Sequence, residues 1–230
     1  MRKKVRKFLL FVLYRCRCGQ IRNSGGGNSG LKKRQGELFK RPRPEYLTAF
    51  NPSKVTTGHH VFADGASVPN PGLGGWGVVA ICNGAEIFSD CGGEAETTNN
   101  RMELYALLKA VEWARQNPTI PVTIWSDSQY AVKGANDWRH GWKAKDWRRG
   151  GDNAEPKNQI LLNSDLWQEI DAALSGPRAG NISICWIKGH AGHHWNERAD
   201  ELAGQGRASL QHFGAQGEEL DAEYRAVMAG

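Results

Sequence analysis

HHVFADGASVPNPGLGGWGVVAIC (residues 59–82) decides the fold. An apolar run stops at Asp64 and a turn. A Pro/Gly-rich loop follows, and a second apolar run comes back after it. EIFSDCGGEAE (86–96) reads as a third strand, so the three predict an antiparallel meander. In RMELYALLKAVEWARQN (101–117), Leu104, Leu107, Leu108 and Val111 recur at the spacing of an amphipathic helix. Asn99 or Asn100 is its expected cap, and Asn117-Pro118 its stop. PVTIWSD (121–127) reads as strand four and SQYAVKGAND (128–137) as a short helix. NSDLWQEIDAAL (163–174) predicts another helix, capped by Ser164 or Asp165. NISICWIKG (181–189) reads as strand five and WNERADELAGQGRASL (195–210) as the last helix. This order predicts an α/β protein, a mixed sheet with helices packed on it.

At 230 residues the chain holds one ordinary domain plus tails. No run approaches the ~18 apolar residues of a membrane span. Five cysteines without a C-x-x-C pair argue against a zinc site and a disulfide framework. A reducing, cytoplasmic setting is the simplest expectation. MRKKVRKFLLFVLYRCRC (1–18) has a basic start and a short apolar run, so organellar targeting stays open. NSGGGNSG (23–30) has linker composition, and a basic, Pro-broken stretch follows. Residues 1–57 are expected to be a disordered basic extension, 58–208 the compact domain, and 209–230 an acidic tail. Residues 1–58 carry a net +13 and residues 59–230 a net −7, which together make the +6 of the chain. A basic arm on an acidic body favours a polyanionic partner.

Four acids sit where catalytic carboxylates would sit: Asp64, Glu103, Asp127 and Asp200. Two close strand-like runs and two lie in helices after polar segments. Two unit charges ~4 Å apart repel by ~4 kcal/mol at an effective dielectric of ~20. Gathering four therefore requires divalent metal or raised pKa values. Oxygen ligands with little His or Cys support point to Mg²⁺, with Mn²⁺ as an alternative. Two such ions can hold the attacking and leaving oxygens of a phosphodiester. His190, in the Gly-flanked GHAGHH string, suits proton transfer near neutral pH. Asn196 and Asp200 share a helix face, so Asn196 is a candidate to orient ligands or water.

The strings DGASVPNPGLGGWG, TTNNRMEL, SDSQY, DLW and KGHAGHHWNERADELA resemble the type 1 ribonuclease H family over residues 58–208. The resemblance implies a ribonuclease H-like α/β fold. Its five-stranded mixed sheet has three antiparallel strands, then parallel ones, flanked by helices. It implies an endonuclease cutting the RNA strand of RNA–DNA hybrids, leaving 5′-phosphate and 3′-hydroxyl ends. Asp64, Glu103, Asp127 and Asp200 fall at the family's metal-binding carboxylates, and His190 at its mobile-loop histidine. Asn70, Asn99, Asn100 and Gln129 fall at contacts to the hybrid's minor groove and 2′-hydroxyls, and Thr98 at a DNA-strand phosphate contact. Amides can match a 2′-hydroxyl without reading bases. Where the family often has Pro-Glu-Asn, this chain has His194-Trp195-Asn196.

DWRHGWKAKDWRR (137–149) is the family's basic handle for the DNA strand. From Trp138 to Arg149 it carries net +4, with Trp138, Trp142 and Trp147 interleaved. Trp138, Trp142, Lys143 and Lys145 are its candidate contacts. A buried Trp cluster under a solvated charged face is the plainer reading. Three functional readings follow: a hybrid-cleaving enzyme, a non-catalytic hybrid-binding module, and a transposase or integrase core. All four acids are present, which favours the enzyme, because a pure polyanion binder would lose affinity by keeping them. A monomer is expected.

Overall fold

The computed structural model describes residues 44–47, 55, 57–150, 154–176, 179 and 181–210. The expectations for residues 1–43 and for the tail beyond 210 lie outside the described residues.

Three strands form the meander: β1 (His59–Ser67), β2 (Gly72–Cys82) and β3 (Ala85–Thr97). β1 pairs antiparallel with β2, and β2 with β3. β4 (Val122–Ser126) joins β1 in parallel, and β5 (Ile182–Trp186) joins β4 in parallel. The sheet order is β3-β2-β1-β4-β5. The five-stranded mixed sheet expected from the sequence is therefore present.

Strand alternation fixes the two faces. On one face Val61, Ala63, Val78, Ala80 and Ile124 pack against α1 (Asn99–Gln116) and α5 (Ser164–Ser175). On the other, Phe62, Val79 and Ile81 meet Ala199 and Leu202 of α6 (residues 194–210). The packed body also reaches upstream of residue 58, because Leu47 and Val55 are buried in the two cores.

Two helix caps differ from expectation. Thr98 caps α1 by accepting from the Arg101 amide, while Asn99 begins the helix. The Asn99 carboxamide instead accepts from the Ser67 amide at 2.6 Å and the Ser67 hydroxyl at 3.0 Å. For α5 the capping position is Asn163, in the left-handed region with φ 57°. The short helix after β4 is longer than expected. α2 (Gln129–Lys133) runs through a π turn (Gly134–Trp138) into α3 (Arg139–Lys143). α4 (Pro156–Gln159), a single turn opened by its proline, was not expected. Among the described residues, no helix is long and apolar enough to cross a membrane.

The α2–α3 protrusion is fastened to the body at two points. Aromatic rings run from Trp138 to Trp142 (5.7 Å between centroids) and on to buried Trp167 of α5 (5.1 Å). Asp171, 3% exposed, receives Arg139 at 2.5 Å and Lys143 at 2.6 Å. Those bonds hold its carboxyl below the ordinary range despite the opposing effect of burial. Removing one partner of such a pair typically costs ~3–5 kcal/mol, because the other charge stays buried and unmatched. Asp171→Ala should therefore lower unfolding free energy by about 3 kcal/mol at neutral pH, read by chemical denaturation. Because the folded pKa is depressed, this contribution is present above the ordinary carboxylate range and fades as pH falls below it.

Candidate active site

Asp64 lies in β1, opposite Gly77 of β2, and is buried. A side chain on the next residue, Gly65, would strike the Met102 backbone and come within 2.5 Å of the Glu103 amide nitrogen. Glycine thus lets β1 pass against the first turns of α1. That close approach makes Asp64 and Glu103 neighbours. The Gly65 amide donates to Asp64 Oδ1 at 2.7 Å.

Asp127 stands between β4 and α2. Trp186 Nε1 donates to its carbonyl oxygen at 2.9 Å, and Asn196 Nδ2 to its carboxylate at 3.4 Å. A Cβ on Gly189 would sit 3.1 Å from the Asp127 carboxyl carbon, so the 188–193 loop approaches there through a glycine. His190 follows, exposed, with φ 49°, and its charge acts on Asp127. Asp200 is exposed on α6, one turn beyond Asn196.

The four acids feel one another. Burial pushes Asp64 up to about 7, with the Asp127 and Asp200 charges adding to the effect. Burial pushes Glu103 up to about 9, helped by the Asp127 and Asp64 charges. Asp127 is also raised by burial, although Asn196 and His190 oppose the rise. Glu103 Oε2 and Asn196 Oδ1 are buried without a hydrogen-bond partner. Among the described residues, no three His, Cys, Asp or Glu side chains are drawn around a single point. The acids are neighbours within electrostatic reach, not a collapsed cage. Their oxygen-only character, mutual repulsion and the orphaned Glu103 oxygen fit a hard divalent cation such as Mg²⁺.

The expected binding residues fall into three groups. Asn70 Oδ1 accepts from the Asn99 amide at 3.3 Å and lies 3.2 Å from the Ser67 hydroxyl oxygen, tying the 68–71 loop to the start of α1. Gln129 is exposed and receives Lys133 Nζ at 2.8 Å. Asn100 lines a cavity of about 520 Å³ with Tyr130, Trp138, Trp142, Arg149, Leu161 and Leu162. Trp138 and Trp142 thus both pack on the body and face this cavity. Lys143 spends its ammonium on Asp171, whereas Lys145 is exposed beyond the helix. Thr98 lines a separate cavity of about 500 Å³ with Glu96, Arg101 and Asn163. Arg101 there is already bonded to Glu94 at 3.0 Å and Asp165 at 2.9 Å, so Thr98 has an acidic surround.

Sequence reasoning did not single out Gly65, Ser67, Trp186, Gly189 or the Leu161–Leu162 wall. Gly65 and Gly189 are adjacent to Asp64 and His190, and that adjacency was their available signal. Nothing in the spacing marked Trp186.

Asp64 within β1, Asp127 just past β4, Glu103 on α1 and Asp200 on α6 thus lie within electrostatic reach of one another on a mixed sheet. The chain matches the RNase H family model over residues 56–208. Ribonuclease H of Cupriavidus metallidurans is 46% identical over 152 residues, covering 65% of this chain and 95% of that protein. Ribonuclease H of Pseudomonas fluorescens is 43% identical over 146 residues, covering 64% and 89%. Among solved structures, LC9-RNase H1, described as a type 1 RNase H with the type 2 active-site motif, superposes with a TM-score of 0.54. It is 29% identical, with 66% of this chain and 74% of that chain covered. The chain belongs to the RNase H family and is an enzyme of that family.

The raised carboxyls fix a pH dependence. Asp64 and Glu103 hold a proton more tightly when folded than when unfolded, where 3.8 and 4.5 apply. Their favourable contribution is complete at low pH and disappears as pH climbs through about 7 and about 9. In chelator, the melting temperature should fall as pH rises from about 5 to about 9. Glu103→Gln should flatten that fall and gain at least ~1 kcal/mol at alkaline pH, about 2–4 °C. Mg²⁺ should raise the parent's melting temperature more than the variant's. An alkaline loss unchanged in Glu103→Gln would contradict this account.

Proposed function

We propose that this enzyme hydrolyses the RNA strand of RNA–DNA hybrids, leaving 5′-phosphate and 3′-hydroxyl ends. The supporting observation is the convergence of four repelling acids, one with an orphaned buried oxygen, beside a row of amides and a basic, tryptophan-rich protrusion. Asp64, Glu103, Asp127 and Asp200 would hold two Mg²⁺ ions, with Mn²⁺ as a substitute. Such a pair, when bound, lowers the pKa of water and neutralises charge gathering on a phosphodiester.

The chain's own groups do the rest. Asn196 orients the Asp127 carboxylate through its side-chain amide. His190 carries a proton at a ring nitrogen, or assists product release, from a loop beside Asp127. Asn70, Asn99, Asn100 and Gln129 present carboxamides that both donate and accept, as a 2′-hydroxyl does. Thr98 supplies a neutral hydroxyl on the DNA-strand side. Trp138 and Trp142 offer apolar faces to sugars and Lys145 a cationic head to phosphates, while Lys143, bonded to Asp171, holds the protrusion in place. Residues 58–208 form the catalytic domain, and the basic extension adds non-specific attraction. The free thiols of Cys82 and Cys91 are in keeping with a cytoplasmic setting. The enzyme acts as a monomer.

A labelled hybrid should be cut only with a divalent cation, while RNA–RNA and DNA–DNA duplexes survive. Asp127→Asn should lower kcat at least ~10³-fold with hybrid affinity kept; robust cleavage by that variant would refute the assignment. His190→Ala should slow kcat on the order of 10²-fold. An unchanged rate would make His190 an ordinary loop residue.

A further inference from the structure

The ordered body starts before the span that matches the family. A single 3-10 turn, Glu45–Leu47, sets Leu47, 7% exposed, into the core that contains Val122, Ile124 and Ile184. The turn packs against β5. Tyr46 leans on the same core, and its hydroxyl donates to an Asp137 carboxylate oxygen. Burial, together with Asp137, pushes the Tyr46 phenol up to about 12, so it stays protonated and remains a donor.

Asp137 lies in the π turn, immediately before Trp138. That is the foot of the protrusion, where the helix changes pitch before α3. Other bonds at this foot come from within the family span: Arg139 to the Ala135 carbonyl, and Arg139 and Lys143 to Asp171. The tyrosine bond comes from upstream of that span. A loose carboxylate beside Trp138 would repel an approaching phosphate. A loose π turn would have to be ordered on binding, which subtracts from affinity.

We propose that Tyr46 is a positioning residue for the nucleic-acid grip: its hydroxyl occupies the Asp137 carboxylate and fixes the turn that aims Trp138 and Trp142. This rests on the reading of the protrusion as the DNA-strand grip. The bond does not touch the reacting phosphate, so it acts on affinity and leaves the chemical step alone.

The test uses the full chain and a fluorescent RNA–DNA hybrid. Kd is read by anisotropy in chelator, and KM and kcat are read with Mg²⁺. Tyr46→Phe should raise Kd and KM on the order of 3- to 10-fold with kcat unchanged. Its melting temperature should stay within about 3 °C of the parent. Asp137→Asn keeps an acceptor and drops the charge, so it should bind near the parent level. Adding Tyr46→Phe to Asp137→Asn should cost less than adding it to the parent. Lys145→Ala/Arg149→Ala serves as the grip control. If the control binds weakly and Tyr46→Phe binds like the parent, the proposal fails and the grip stands. If the control itself binds like the parent, the grip reading falls and the proposal with it. A Tyr46→Phe variant whose kcat and melting temperature drop together with its affinity would show a purely structural role, and would also overturn the proposal.

Discussion

The passage of β1 against the first turns of α1 through Gly65 sets the terms for the site. It leaves no room for a side chain and forces two acids from distant parts of the sequence into one neighbourhood. Burial and mutual repulsion then make those acids reluctant to ionise. The fold therefore stores a penalty at the proposed catalytic centre, and the rest of the structure has to hold the strained group together. The two apolar cores on either side of the sheet provide that strength. Asn196, one turn before Asp200 on α6, links the second core's helix to the Asp127 carboxylate.

The proposed binding surface follows a different logic from the proposed catalytic one. Its carboxamides are cross-linked into the scaffold through Ser67, so the 68–71 loop and the helix that carries Glu103 are positioned together. The protrusion's tryptophans serve both packing and exposure. Trp142 leans at a tilt against buried Trp167, while Trp138 is 40% exposed. A strictly structural and a strictly functional account of these rings are both incomplete.

Much of this was legible in the sequence because it depends on period and composition. Apolar runs separated by a Pro/Gly-rich loop revealed β1 and β2, and the Leu104–Leu107–Leu108–Val111 stripe revealed α1. The four acids stood out because two closed strand-like runs and two followed polar segments in predicted helices. What was hidden depends on long-range fit. Thr98 caps α1 in preference to Asn99 because Asn99 is occupied by Ser67 across the chain. The π turn cannot be read from propensity; it begins at Gly134, which lies against the Trp167 ring with no space for a Cβ. Lys143 looked like a surface cation, and only the buried Asp171 of α5 explains where its charge is spent. The packing of Leu47 and Val55 was invisible because Gly/Ser-rich and basic stretches surround them in the sequence.

The indole contacts and the Asp171 clamp join Arg139, Trp142 and Lys143 to Trp167 and Asp171 of α5, so the stretch between Lys143 and α5 is pinned at both ends. What orients the rings is thus fastened on both sides of that stretch. Lengthening a stretch held in this way costs little, because closure entropy grows slowly with its length. The architecture separates how firmly the tool is mounted from how far its tip extends, so evolution can lengthen or trim the reach without retuning the mount.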